Sequence, residues 1–312
     1  MDHQVLPRGP VAMLVTPFLD SGALDLPGLV DQTEFAIRLG ATGLALFGLA
    51  GEGFKLSEAE RESLLETVVA VNAGRLPVIT AVDHAGSLAA AARAERAMAL
   101  GSAAVMAMPP MVSPEPSPDA ILHHFRALEA ATAAPIVVQD APAASNVRLP
   151  VDLLRRLTDE VPAIAGIKVE APPTPPKVVA LRKQLDRELI LYGGRGGIAH
   201  LTELLAGADG TMVGPAYIDV FTAIWRAFAT GDTASARRHF TTLLPAIAFA
   251  EGNDLYARTQ KMMLRDEGVI SSDLMRNPTG AMDTVMREEW SRIAAAIPRP
   301  TSTPRAPSYR SS

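Results

Sequence analysis

The 312-residue chain contains no cysteine, so disulfides and thiolate metal sites are excluded and the redox compartment is left open. The six histidines (3, 84, 123, 124, 200 and 239) show no metal-ligand spacing, and no metal is expected. No nucleotide-binding loop of the Walker type occurs. The N-terminal MDHQVLPRGP lacks an apolar core of signal-peptide length, and no uncharged apolar run is long enough to span a bilayer. A formal net charge of -5 gives no hint of a nucleic-acid surface. The expectation is a soluble, cytoplasmic protein with neither membrane nor nucleic-acid partners. Lysine is also scarce: there are five, and the other 24 of the 29 basic residues are arginine.

What is present is a recurring unit. Three times a helical stretch ends in glycine and runs directly into a short apolar strand: Leu39-Gly40-Ala41 before TGLALFG, Leu100-Gly101-Ser102 before AAVMAMP, and Ala206-Gly207-Ala208 before DGTMVG. Glycine suits the left-handed position that closes a helix, and an apolar run suits a strand buried on both faces. Further strands are predicted at 10–17, 76–82, 134–140, 163–170 and 188–194, making eight runs spaced mostly 25–35 residues apart. Between them lie helical patterns, with a capping box at Ser57 and Glu60 and an N-cap plus proline at Ser117-Pro118. Eight strand–helix alternations point to an α/β fold, a parallel (β/α)8 TIM barrel. The rival, a doubly wound open sheet, usually carries a glycine-rich turn after its first strand, where this chain has Thr16-Pro17-Phe18. After about residue 215 only helical patterns follow, at 216–230, 232–250, 254–267 and 280–296. The expected organisation is a barrel over 8–230, a C-terminal helical extension over 231–297 and a disordered tail over 298–312 rich in Pro, Ser and Arg.

Function in such a barrel collects at the C-terminal ends of the strands. In order these carry Thr16, the segment 48–52, Asp83 and His84, the segment 108–111, Gln139 and Asp140, Lys168 and Glu170, and Arg195. Lys168 is the one lysine inside a predicted strand. If Ile167 and Val169 face the helices, alternation turns Lys168 into the barrel mouth, where partial desolvation favours the neutral, nucleophilic amine. The competing reading is a lysine neutralised by Glu170 or by another barrel carboxylate. Glu52, flanked by Gly51 and Gly53, is either an acid–base group or a loop anchor. The run GGRGG at 193–197 suits a carboxylate or a phosphate, bound through backbone N–H groups with Arg195 assisting.

These pieces together resemble the dihydrodipicolinate synthase / N-acetylneuraminate lyase family over roughly residues 8–296. The matching segments are VTPF (15–18), GLAGEG (48–53), APIVVQDAP (134–142), AGIKVE (165–170) and AGADG (206–210). The resemblance implies a barrel with a helical extension, a homotetramer or homodimer, no cofactor, and Lys168 as the amine that condenses with the ketone of pyruvate or another 2-oxo acid. The family's relay threonine and tyrosine fall at Ala50 and Gln139. Its second tyrosine, contributed across a subunit interface, falls near Met111. The arginine that holds aspartate semialdehyde in true synthases falls near Ala144.

With these absent, MAMPP, VQDAP, Glu52 and GVISSDLMRNP (268–278) resemble instead the branch containing 2-keto-3-deoxy-L-arabonate dehydratase, although the strand-two loop and the GGRGG loop differ from it. A keto-deoxy sugar acid dehydratase or aldolase is therefore expected, with 4-hydroxy-tetrahydrodipicolinate synthase and a non-catalytic 2-oxo-acid-binding barrel as alternatives. The expected catalytic residues are Lys168, Glu52 and Gln139, the latter holding a water with Asp140. Substrate would be bound by Thr16, Gly48, Ala50, Gly51, Asp140, Gly193, Gly194 and Arg195.

Overall fold

A computed structural model describes residues 6–111, 115–251 and 255–297. Eight parallel strands close into a barrel in sequence order. They are β1 (Gly9–Met13), β2 (Gly43–Leu46), β3 (Val78–Ala81), β4 (Ala104–Ala107), β5 (Ile136–Asp140), β6 (Ile164–Val169), β7 (Ile190–Gly193) and β8 (Gly210–Val213). The β1–β8 ladder, with Gly9 opposite Gly210 and Ala12 opposite Val213, removes both sheet edges. All eight predicted strands are found, and their residues are almost all buried, as strands with side chains in the barrel on one face and helices on the other must be. The predicted first strand runs shorter than expected: Leu14 N still donates to the Ala45 carbonyl at 2.8 Å, and beyond it the chain leaves the ladder to form the loop that reaches Phe18.

The local signals act as read. Ser57 accepts from the Glu60 N–H while Glu60 reaches back to the Ser57 N–H, starting helix α2 (Glu58–Asn72). Ser117 caps α4 (Pro118–Thr132). Gly40, Gly101 and Gly207 have φ of 88°, 102° and 104°, the left-handed region that lets a helix turn straight into the next strand. At the N-terminal end of the barrel, Tyr192 fills the interior and its hydroxyl donates to the Pro7 carbonyl at 2.6 Å.

Four helices follow β8: α9 (Ile218–Ala229), α10 (Thr233–Ala250), α11 (Leu255–Asp266) and α12 (Thr284–Ala295). Helix α9 packs beside β1 and completes the eighth unit, and α10 packs on α9. Helix α11 lies against the strand ends: the Tyr256 hydroxyl accepts from Gly214 N at 2.6 Å, and Gln260 Oε1 accepts from Ala216 N at 3.0 Å. The tail at 298–312 lies outside the described residues. No helix among the described residues is long and apolar enough to cross a membrane.

The join between barrel and extension corrects one expectation. Glu52 is fully buried, and its carboxylate is taken up by Lys261 of α11 at 2.5 Å, by Lys55 at 2.9 Å and by the backbone N–H of Arg276 at 3.1 Å. The left-handed turn at Glu52 (φ 53°) aims the side chain away from the barrel mouth and toward the extension. It is the loop anchor, and no oxygen is left for proton transfer. Removing one partner of a buried ion pair strands the other charge, at a cost of about 3–5 kcal/mol. Glu52→Ala should therefore lower unfolding stability by about that amount in denaturant titrations, and a change below about 1 kcal/mol would exclude this role.

Candidate active site

Strand alternation on β5 and β6 builds the centre. In the parallel ladder Gln139 pairs with Lys168 and Asp140 with Val169, so Gln139 and Lys168 share the inner face while Asp140 and Val169 share the outer one. Ile167 and Val169 are fully buried beneath the helices, as the inward reading of Lys168 requires. The Lys168 side chain is 7% exposed, and its Nζ lies 3.3 Å from Glu170 Oε2. Gln139 Nε2 donates to the same Oε2 at 2.7 Å, and the Arg195 N–H donates to Glu170 Oε1 at 2.9 Å. Burial pushes the Glu170 carboxyl up, but Lys168, the Arg195 N–H and Gln139 outweigh it and hold the group below the usual carboxylate range. Gln139 Oε1 is buried and has no partner among the described residues, so it can accept from a ligand in the mouth.

Glu170 stands outside the residues expected from sequence to move protons. The signal was available, since residues i and i+2 on a strand face the same way and Glu170 is the nearest carboxylate sharing the Lys168 face.

Several expected binding residues are placed elsewhere. Asp140 points outward under α7 (Thr174–Gln184) and pairs with Lys177 at 2.6 Å, so it holds no water with Gln139. In the 193–197 loop the Arg195 N–H is already taken by Glu170. A side-chain carbon on Gly194 would lie 2.3 Å from Glu170 Oε1, and one on Gly193 would overlap Glu203 Oε2. These two glycines make room for the protein's own carboxyls, and the Arg195 guanidinium pairs with Glu251 rather than facing the mouth. With Glu170 already present as the anion, a substrate carboxylate there would meet a like charge.

The strand-two loop remains on the mouth. Thr16 Oγ1 donates to the Gly51 carbonyl at 2.6 Å, tying the end of β1 to that loop, while Ala50 and Gly51 are buried and Gly48 lines an open cavity. The non-glycine residues Phe47 (φ 63°) and Glu52 bracket the loop in left-handed conformations, and such strain persists only where the surroundings enforce it. The cavity, about 560 Å³, is walled by Gly48, Asp83, His84, Met108, Met111 and Ala144, among others. The positions matched by resemblance to the interface tyrosine and to the synthase arginine thus lie on this wall, and neither carries a polar side chain.

Glu203, behind Gly193, is a second buried carboxyl. Thr174 Oγ1 donates to its Oε1 at 2.5 Å, and burial raises its pKa to about 7, with Glu170 adding to the rise. In the unfolded chain this carboxyl would titrate near 4.5. Between those pH values the folded chain keeps a proton the unfolded chain has released, so stability falls as pH rises through the window. Glu203→Gln should remove that slope and gain roughly 3 kcal/mol on the wild type at pH 8. Denaturation midpoints from pH 5 to 8 check this, and parallel curves for the two proteins would rule it out.

The dihydrodipicolinate synthetase family model matches residues 6–297. Among curated relatives, L-2-keto-3-deoxyarabonate dehydratase of Azospirillum brasilense is 34% identical over 301 residues, covering 93% of this chain and 94% of that protein. N-acetylneuraminate lyase of Shigella boydii serotype 4 is 30% identical over 296 residues, covering 93% and 97%. The crystal structure of dihydrodipicolinate synthase from Rhodopseudomonas palustris superposes with a TM-score of 0.87 at 28% identity, covering 93% of this chain and 97% of that one. By the extent of that family match and the identity of these relatives, the chain belongs to the dihydrodipicolinate synthetase family.

Proposed function

We propose that this protein is a Schiff-base lyase that dehydrates a 2-keto-3-deoxy sugar acid, with Lys168 as the nucleophile. The observation that carries the reading is the buried Lys168–Glu170–Gln139 cluster on the inner face of β5 and β6. Passing a proton from the ammonium to Glu170 removes both charges from a site largely closed to water, which partly offsets the difficulty of the transfer. The freed amine attacks the C2 ketone. The carbinolamine then loses water, with Glu170 returning the proton to the departing oxygen and Gln139 holding the carboxylate in place. The iminium withdraws electrons from C3, the Glu170 carboxylate takes a C3 proton, and the resulting enamine expels the C4 hydroxyl, which leaves as water with a proton returned from Glu170 or supplied by solvent. The substrate carboxylate is assigned to the strand-two loop at Gly48, Ala50 and Gly51, which Thr16 braces.

Dehydration is preferred to C3–C4 cleavage because the relative named as a dehydratase shares more identity over an equal share of the chain than the one named as a lyase. Condensation with aspartate semialdehyde is disfavoured by alanine at 144. The reading includes a homodimer or homotetramer, supported by the exposed apolar side chains of Leu49, Phe54 and Met111 around the cavity. Light scattering on the purified protein should then give a mass of two or four chains, and a monomer at working concentration would overturn that part.

Borohydride reduction in the presence of pyruvate or 2-keto-3-deoxy-L-arabonate should attach the ligand covalently to the peptide bearing Lys168. Lys168→Ala should abolish the adduct, and the absence of any adduct in wild type across a panel of 2-oxo acids would sink the scheme. Glu170→Gln keeps the shape and the Arg195 contact but cannot hold the proton, so kcat should drop by about 10²-fold or more.

A further inference from the structure

Resting on the Schiff-base reading above, we propose that Glu203 is a positioning residue for Glu170. Its carboxyl ties the segment leaving β6 to the end of β7 and so keeps the Arg195 N–H on Glu170, and it does this only while it carries its proton. Glu203 lies on α8 (His200–Leu205), outside the barrel wall, and is buried. Its Oε1 accepts from Thr174 Oγ1 at 2.5 Å, and Thr174 stands four residues after Glu170. Its Oε2 fills the space that a side chain at Gly193 would need, and Gly193 stands two residues before Arg195. At the next residue, Gly194, Glu170 Oε1 fills the corresponding space. Successive strand residues face opposite ways, so the Gly193–Gly194 backbone runs between two carboxyls, Glu170 on the inner side and Glu203 on the outer.

The surroundings equip only one of the two as an anion. Glu170 has three donors, Lys168, Gln139 Nε2 and the Arg195 N–H. Glu203 has Thr174 alone, and its Oε2 is buried with no partner among the described residues. A buried carboxylate with an unpaired oxygen beside a second carboxylate is costly, and the neutral acid is far less so. The charges around it are committed elsewhere. Arg195 pairs with Glu251 at the end of α10, and Lys177 and Arg182 of α7 pair with Asp140 and Asp209. Strand β8 brings Thr211, opposite Gly193 in the ladder, and no titratable side chain. His200, one turn earlier on α8, is lowered by burial to about 3 and is neutral as well. Burial raises the Glu203 carboxyl to about 7, with Glu170 adding to the rise, so its change of charge falls near neutral pH.

Above that pH the outer carboxyl becomes an anion short of donors. Arg195, whose charge already acts on it, is the donor at hand in the adjoining loop. Drawing Arg195 outward takes a hydrogen bond from Glu170 and shifts the carboxylate that must accept the Lys168 proton and return it. Only the proton on Glu203, exchanged with solvent, comes and goes, and the bonds made and broken at Lys168 are the same in both forms.

The test is Glu203→Gln, which keeps the acceptor for Thr174 and is neutral at every pH. Pyruvate is trapped at Lys168 with borohydride from about pH 6 to pH 8, and the variant's initial rate is divided by the wild type's at each pH, which cancels the pH dependence of the reductant. The ratio should lie within about twofold of unity at pH 6 and climb to about tenfold at pH 8, where a group titrating near 7 keeps roughly a tenth of its acid form. Glu203→Leu is also neutral but cannot accept from Thr174, and it should trap about tenfold or more slowly than Glu203→Gln throughout. A ratio for Glu203→Gln that stays flat or falls with pH overturns the inference, and so does a Leu variant as fast as the Gln one. If the Leu variant does not fold, the Gln ratio decides alone. Circular dichroism is recorded alongside, and a wild type that unfolds by pH 8 also overturns the inference, because the change would then lie in the whole fold. Failure of the wild type to trap pyruvate at any pH is a different result and strikes the Schiff-base reading itself.

Discussion

A lysine and a glutamate held 3.3 Å apart in the closed mouth of a β-barrel set the terms for everything around them. Desolvating two opposite charges costs several kcal/mol for each ion, and their attraction recovers this only with good geometry and further hydrogen bonds. Those bonds are supplied from two directions, by the Gln139 amide on the neighbouring strand and by the Arg195 backbone N–H on the loop beyond β7. The loop can approach only because position 194 lacks a side chain. A pair so expensive to bury is poor economy for a fold and good preparation for a reaction, since one proton transfer turns it into a neutral amine and a neutral acid.

The same logic operates at a second place with the opposite purpose. Glu52 with Lys261 and Lys55 is also a buried charge cluster, and Phe18 adds its ring face to the Lys261 ammonium at 4.4 Å. Here no polar atom of the carboxylate is left over, and the cluster joins the strand-two loop to helix α11. The loop that borders the cavity is therefore braced from the extension, and α11 also sends Tyr256 to the end of β8 and Gln260 to the turn behind it. The helices after the barrel thus act on the site through loop position, and their packing belongs to the catalytic architecture as much as the strands do.

Much of this was legible in the sequence, and the boundary of legibility is physical. The strands could be read because buried parallel strands are apolar on both faces and because glycine at 40, 101 and 207 marks where a helix must reverse. Lys168 could be read because alternation along one strand fixes a side chain's face without knowledge of the partner strand. The same rule separates Gln139 from Asp140, which as adjacent residues cannot both face inward, and groups Glu170 with Lys168.

The fate of the 193–197 loop and of Glu52 could not be obtained this way. A glycine-rich turn is open to any anion, and only the tertiary structure reveals that the anion is a carboxylate from the neighbouring strand. Likewise, Glu52 owes its direction to a left-handed turn and two of its three partners, Lys261 and the Arg276 N–H, to positions more than 200 residues away.

The site divides into two regions with different demands on sequence. Around Lys168 the polar atoms are few, buried and mutually bonded, which suits steps common to any 2-oxo acid: carbinolamine formation, loss of water and withdrawal of electrons from C3. The cavity wall is mixed, with the apolar Met108, Met111 and Ala144 alongside Asp83, His84 and Arg93, and it is open to solvent. An open, partly apolar wall cannot impose the first set of steps, but it can choose which chain extends beyond C3. Substrate identity should therefore be carried by the ends of β2, β3 and β4 and by the segment after β5, and the shared steps at C2 and C3 by the inner face of β5 and β6.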